Sequence, residues 1–212
     1  MRENSTEMVF VLDRSGSMSG LAADTIGGFN ELIEKQKKIE GRAYVTTVLF
    51  DHEYEVLHDH VALGEVAPLT DKEYFARGST ALLDAVGRTI DSVGARLAAA
   101  PEEERPEHVV FVITTDGREN SSREYTAKQV REMVEHQQQK YSWQFVFLGA
   151  NMDAVSEARN LGISAKYAAD FTPTGRGVNR MYAKALDNVM CCERMGASLS
   201  ADWKSALETD EK

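Results

Sequence analysis

Two unbroken apolar runs constrain this chain most: Val9-Phe10-Val11-Leu12 near its start and Val109-Val110-Phe111-Val112-Ile113 at its middle. A strand with one wet face alternates apolar and polar residues, so a continuous run points to a parallel strand covered on both faces. Parallel strands need long crossovers, usually helices. The intervening segments read that way. Residues 21–40 place Ile26, Phe29, Ile33 and Ile39 near one side of a helix, and Leu83, Val86, Ile90, Val93 and Leu97 make a second apolar stripe. Thr126-x-x-Gln129 caps a third helix, residues 152–161 form a fourth, and Val178, Tyr182, Ala185, Val189 and Cys192 line a last one. Residues 43–50 and 54–63 are β-rich and joined only by Asp51-His52-Glu53, which permits an antiparallel hairpin. Runs at 143–148 and 165–169 complete the strands. The expectation is an α/β fold: a doubly wound, mostly parallel six-stranded sheet with one antiparallel edge strand and helices on both faces.

At 212 residues the simplest organisation is one domain over residues 1–195 with a polar tail over 196–212. Leu199, Trp203 and Leu207 recur every four residues in that tail and fit a short amphipathic helix. The 34 acidic and 24 basic residues leave a formal charge of −10, which argues against a nucleic-acid partner. A strand beginning by Glu7 leaves no room for a signal peptide, and no run of apolar residues is long enough for a membrane span. Adjacent Cys191 and Cys192 point about 100° apart on a helix, poorly placed to bond each other. A cytoplasmic protein is expected, of undetermined oligomeric state.

The first apolar run ends in Asp13-Arg14-Ser15-Gly16-Ser17, a carboxylate and two hydroxyls on one tight loop. These are hard oxygen donors that suit Mg²⁺, and Gly16 lets the backbone turn so that both hydroxyls converge. The central run ends in Thr114-Thr115-Asp116-Gly117, and Thr80 sits at the mouth of the second helix. In a doubly wound sheet, loops at the carboxyl ends of the strands gather such groups. Asp13, Ser15, Ser17, Thr80 and Asp116 then offer two carboxylates and three neutral hydroxyls, an ion site that keeps waters and accepts a further anionic oxygen.

Asp13-x-Ser15-x-Ser17, then Gly78-Ser79-Thr80, then Thr115-Asp116-Gly117 resembles the metal-ion-dependent adhesion site of von Willebrand factor A domains. The match spans roughly residues 7–195 and fills all five metal positions. The resemblance implies a Rossmann-like sheet and Mg²⁺, with Mn²⁺ or Ca²⁺ as substitutes. It implies that Ser15 and Ser17 are direct ligands, and that Asp13, Thr80 and Asp116 bind directly or through water. A glutamate or aspartate of a protein partner would complete the shell. Many intracellular bacterial members work beside ATPases, chelatases or stress-response proteins, and stand-alone domains of this size are similar to those linked to tellurite resistance.

Arg14, Arg77 and Arg118 flank the metal segments, and Arg176 follows the last strand. Two readings stay open for them: a basic rim that draws in an acidic partner, together with Glu119, or solvated loop arginines. Glu119 also gives the alternative function, a Mg²⁺- or Mn²⁺-dependent hydrolase with Glu119 as general base on a metal-bound water. The metal segments contain no histidine, the second residue after Asp13 is Ser15 rather than a second aspartate, and no phosphate-cradling G-x-x-x-x-G-K-[ST] occurs. A binding module rather than an enzyme is therefore expected. His58 and His60 would share one face of an edge strand, where a solvated edge is preferred to a second metal site.

Overall fold

The computed structural model describes residues 2–208. Six strands, β1 (Arg2–Asp13), β2 (Arg42–Phe50), β3 (Tyr54–Ala62), β4 (Pro106–Thr115), β5 (Gln144–Gly149) and β6 (Ala168–Asp170), form one sheet in the order β3-β2-β1-β4-β5-β6. Only β3 runs antiparallel, paired with β2. The two apolar runs lie side by side at the centre, with Val9 opposite Phe111 and Val11 opposite Ile113. Every residue in both runs is at most 5% exposed, as two covered faces require.

On one face lie α1 (Ala22–Gln36) and a long C-terminal helix made of α5 (Gly175–Arg180), a π-helical turn (Met181–Leu186) and α6 (Asp187–Arg194). On the other lie α2 (Leu82–Ala99), α3 (Ala127–Tyr141) and α4 (Ala154–Asn160). The expected capping box of α3 forms between Thr126 and Gln129. The strand order turns back between β1 and β4, so the loops after these strands border the crevice where open α/β sheets bind ligands.

Four local features depart from or refine the sequence expectations. Helix α1 ends at Gln36, not at 40, because the buried Arg194 donates to the carbonyls of Gln36, Ile39, Glu40 and Gly41 and terminates it from the far end of the chain. Of the two α1 glycines, Gly28 is the one held by packing. A Cβ there would lie 2.6 Å from the Tyr182 ring, whereas one on Gly27 meets nothing within 4 Å. The close approach is helix on helix, not helix on sheet.

His58 and His60 do not share a face. The β2–β3 register shifts near Thr47, His60 takes φ 53°, and the two rings bond groups on opposite sides: His58 to Thr47, His60 to Glu7. The tail packs on this same domain. Leu199, Trp203 and Leu207 enter the core beside the C-terminal helix, α7 (Ser205–Glu208) follows a 3₁₀ turn, and Trp203 Nε1 donates to the Lys166 carbonyl at 2.9 Å. The rest of the tail, 209–212, lies outside the described residues.

Candidate metal centre

The site is built on the carboxyl ends of β1 and β4. Asp13, the last residue of β1, is fully buried, and neutral donors hold both its oxygens. The Ser15 amide donates to Oδ1 at 2.6 Å, and the Thr115 hydroxyl donates to Oδ2 at 2.5 Å. Ser15 Oγ and Ser17 Oγ lie 3.1 Å apart, and the Ser17 hydroxyl donates to Asp116 Oδ1. The Gly16 amide donates to the Gly78 carbonyl at 3.1 Å, which ties the first loop to the one bearing Thr80. Gly78 takes φ +68°, and a Cβ there would overlap His52, so only glycine serves.

Gly117 marks where the hydroxyls meet. A Cβ built on it would lie 3.0 Å from Thr80 Oγ1, 3.3 Å from Ser17 Oγ and 3.8 Å from Ser15 Oγ. Three hydroxyl oxygens from three separate positions thus surround one point beside Asp116, and a side chain at 117 would fill that space. Burial pushes the Asp13 carboxyl up to about 6. The hydrogen bonds from Thr115 and Ser15 oppose that rise, and the charge of Asp116 adds to it. Burial raises Asp116 as well. Among the described residues no arginine or lysine pairs with either carboxylate. Two acids and three hydroxyls without a protein cation form a donor set for a hard divalent ion. The residues fit the group the sequence implied, and all five expected ligands are brought together.

The flanking residues divide. Arg14 does not reach a rim: it is 1% exposed, its Nε donates to Asp51 at 3.0 Å, its Nη1 reaches Glu55 at 2.7 Å, and it braces the site from inside. The Arg77 guanidinium also donates to Asp51, at 2.9 Å, and pairs with Glu53. Arg118 is exposed beside Asp116, and Arg176 is exposed in the first turn of α5. Glu119 has both oxygens engaged: Oε1 accepts from the Ser121 and Ser122 amides, Oε2 from the Leu83 amide and the Ser122 hydroxyl. It therefore caps α2, which frees the Thr80 hydroxyl from a capping role.

Sequence reasoning missed Asp51, Tyr74 and Asn120. Fully buried Asp51 accepts from Arg14, Arg77 and the Glu53 amide. Burial pushes its pKa up, but these donors outweigh burial and hold it below the ordinary carboxylate range. Its place in the hairpin turn gave no sign of that. The Tyr74 hydroxyl donates to the Asp13 carbonyl, and Asn120 exchanges hydrogen bonds with the Thr80 backbone at 2.9 and 3.0 Å. An asparagine four residues after Asp116 was the one legible signal.

No family model matches the sequence, and no curated protein matches it. Solved structures do share its fold. The vWF domain of the type V pilus tip protein Mfa5 of Porphyromonas gingivalis aligns with a TM-score of 0.63 at 12% identity, covering 92% of this chain and 97% of that one. Proximal thread matrix protein 1 of the mussel byssus, with a zinc-occupied MIDAS motif, aligns with a TM-score of 0.56 at 19% identity over 88% of this chain. This chain spans 46% of that structure's length. Manganese-loaded Plasmodium vivax TRAP aligns with a TM-score of 0.56 at 15% identity, covering 80% of this chain and 69% of that one. The fold is that of a von Willebrand factor A domain.

Proposed function

We propose that this chain is a metal-dependent protein-binding module. Asp13, Ser15, Ser17, Thr80 and Asp116 hold Mg²⁺, which Mn²⁺ or Ca²⁺ can replace, and a glutamate or aspartate of a protein partner joins the ion's shell. The observation that carries this reading is the convergence of three hydroxyls around Gly117, next to two carboxylates that no protein cation neutralises. Bound there, the ion supplies a positive charge at the sheet edge for an anionic group to meet. The chain's own residues hold its seat: Thr115 and the Ser15 amide fix Asp13, Ser17 orients Asp116, and Asn120 fixes the Thr80 backbone. The zinc-occupied MIDAS motif of the mussel protein and the manganese-loaded Plasmodium protein, which share this fold, support a divalent ion here.

The hydrolase alternative needs Glu119 as a base, and four donors already occupy its oxygens, so the binding reading is preferred. Arg77 and Arg118 remain candidates for steering an acidic partner, and Arg14 does not. The test is calorimetric titration with MgCl₂, followed by capture of partners from native lysate with Mg²⁺ or with chelator, using wild type and Asp13→Ala. Capture that depends on Mg²⁺ in wild type and is lost in the variant is expected. Capture by Asp13→Ala in chelator that equals capture by wild type in Mg²⁺ overturns it.

A further inference from the structure

A cavity of about 660 Å³ opens between α2 and α3, on the face of the sheet bearing α2, α3 and α4 and apart from the metal centre. Ile90, Gly94 and Leu97 of α2, Val109 of β4, Gln137 of α3 and Trp143 line it. The volume lies within the range of small-molecule sites, and the lining joins an apolar floor to polar and charged side chains.

Three features make it specific. Gly94 leaves a gap in the wall of α2. A Cβ there would sit 3.8 Å from Gln137 Nε2 and 4.0 Å from the Trp143 ring, so the missing side chain keeps the amide and the indole edge uncovered toward one another. Gln137 Oε1 is buried and accepts no hydrogen bond, a deficit that a ligand N–H repairs once the amide turns toward the cavity. The indole of Trp143 is backed by Phe111, stacked with ring centroids 5.3 Å apart, and so presents a rigid aromatic edge.

The charge around the opening selects further. Asp91, Glu102 and Glu107 place carboxylates at the cavity, against His136 and Arg105. The Arg105 guanidinium donates to the Ala100 and Ala98 carbonyls at 3.1 and 3.3 Å, so part of its donor set is already engaged. On a chain of charge −10 this surrounding disfavours anions.

We propose that the α2–α3 cavity is a binding site for a flat aromatic amine, neutral or cationic, that stacks or edges against Trp143 and donates an N–H to Gln137. The probe is proflavine, a planar cation with amino donors, and 1-anilinonaphthalene-8-sulfonate is its anionic counterpart. Wild type is expected to bind one proflavine per chain, with quenching of tryptophan emission, and to leave the anionic dye unbound.

Gly94→Leu fills the cavity and should weaken proflavine by about tenfold or more. Ordinary contact distances around its Cβ, together with better helix propensity, let this variant fold, which a thermal melt verifies. Gln137→Leu removes the acceptor and should weaken binding by about threefold to tenfold. Proflavine binding unchanged in Gly94→Leu, or tighter binding of the anionic dye than of proflavine, overturns the proposal. Mg²⁺ titration of Gly94→Leu separates this site from the metal centre, because ion binding there is expected to match wild type.

Discussion

Strand β1 carries two fully buried carboxylates, Glu7 in its first half and Asp13 at its end, and their partners differ in kind. Glu7 accepts from the Thr46 hydroxyl at 2.7 Å, from Arg96 at 3.1 Å and from His60. Burial pushes its pKa up, but the His60 hydrogen bond and the nearby Arg96 and His60 charges outweigh burial and hold it below the ordinary value. Asp13 meets only a hydroxyl and an amide, and burial prevails, pushing it up to about 6. Equal burial with opposite shifts teaches that partner charge, not depth, decides what a buried acid does here. A carboxylate with its cation inside the chain is architecture. On the proposed reading, one that lacks a cation receives a charge from outside.

The largest expected effect breaks the comparison at the Asp13 end. Asp13→Ala should weaken Mg²⁺ binding by about 100-fold or more and abolish the Mg²⁺-induced rise in melting temperature. The metal-free variant should melt no lower than metal-free wild type, because the substitution removes a buried acid with no cationic partner. Calorimetry and thermal melts in chelator check both statements. A metal-free melting point well below wild type would mean that Asp13 is structural, like Glu7.

The second break is at the other end. Glu7→Gln leaves Arg96 without its buried counter-charge and should cost about 3 kcal/mol of stability in urea unfolding. Because Arg96 is partly exposed, the loss falls at the low end for such pairs. Mg²⁺ affinity should not change, since the substitution lies six residues back along the strand, in its first half rather than at the carboxyl end. A change in ion affinity of more than about threefold would show that the two ends are coupled.

A pH series sharpens the same contrast with a smaller effect. Glu7 has a folded pKa below its unfolded value of 4.5, so ionised Glu7 stabilises the fold fully above pH 4.5. That contribution is lost as pH falls below 4.5 through the lower folded value. The stability difference between wild type and Glu7→Gln should therefore shrink as pH falls from about 4.5 toward 3. A gap that persists undiminished to pH 3 would assign the loss to shape rather than charge.

The contrast also explains how much could be read beforehand. Strands and helices follow from apolar period, which is local in sequence, and the five oxygen donors were legible from two strand ends, the mouth of one helix and the resemblance of those three segments to a known site. What sequence hid were pairings across long separations. Glu7 meets Arg96, Arg194 terminates α1, and Arg14 turns inward to Asp51 rather than out to a rim. Each depends on which loops fold next to one another. The His58–His60 expectation failed for a related reason: a register shift defeats the alternation that strand reasoning assumes.

Asp51 lies at the same end of the sheet as Asp13, one strand over, yet it is paired, so it tests whether position or partner governs. Arg77 and Arg14 both donate to Asp51 Oδ2, and the Glu53 amide donates to Oδ1. With Arg77 about one-third exposed, its pairing is weakened by water, and Asp51 keeps Arg14 and the amide when Arg77 is removed. Arg77→Ala should therefore shift the urea midpoint less than Glu7→Gln does, the smallest of these effects. Removing one positive charge near the ion should raise Mg²⁺ affinity by less than about threefold. A weakened affinity would mean that the Arg77 guanidinium, through Asp51 and Arg14, positions the loop bearing Ser15 and Ser17. The partner rule would then extend from the buried acids to the loop that carries them.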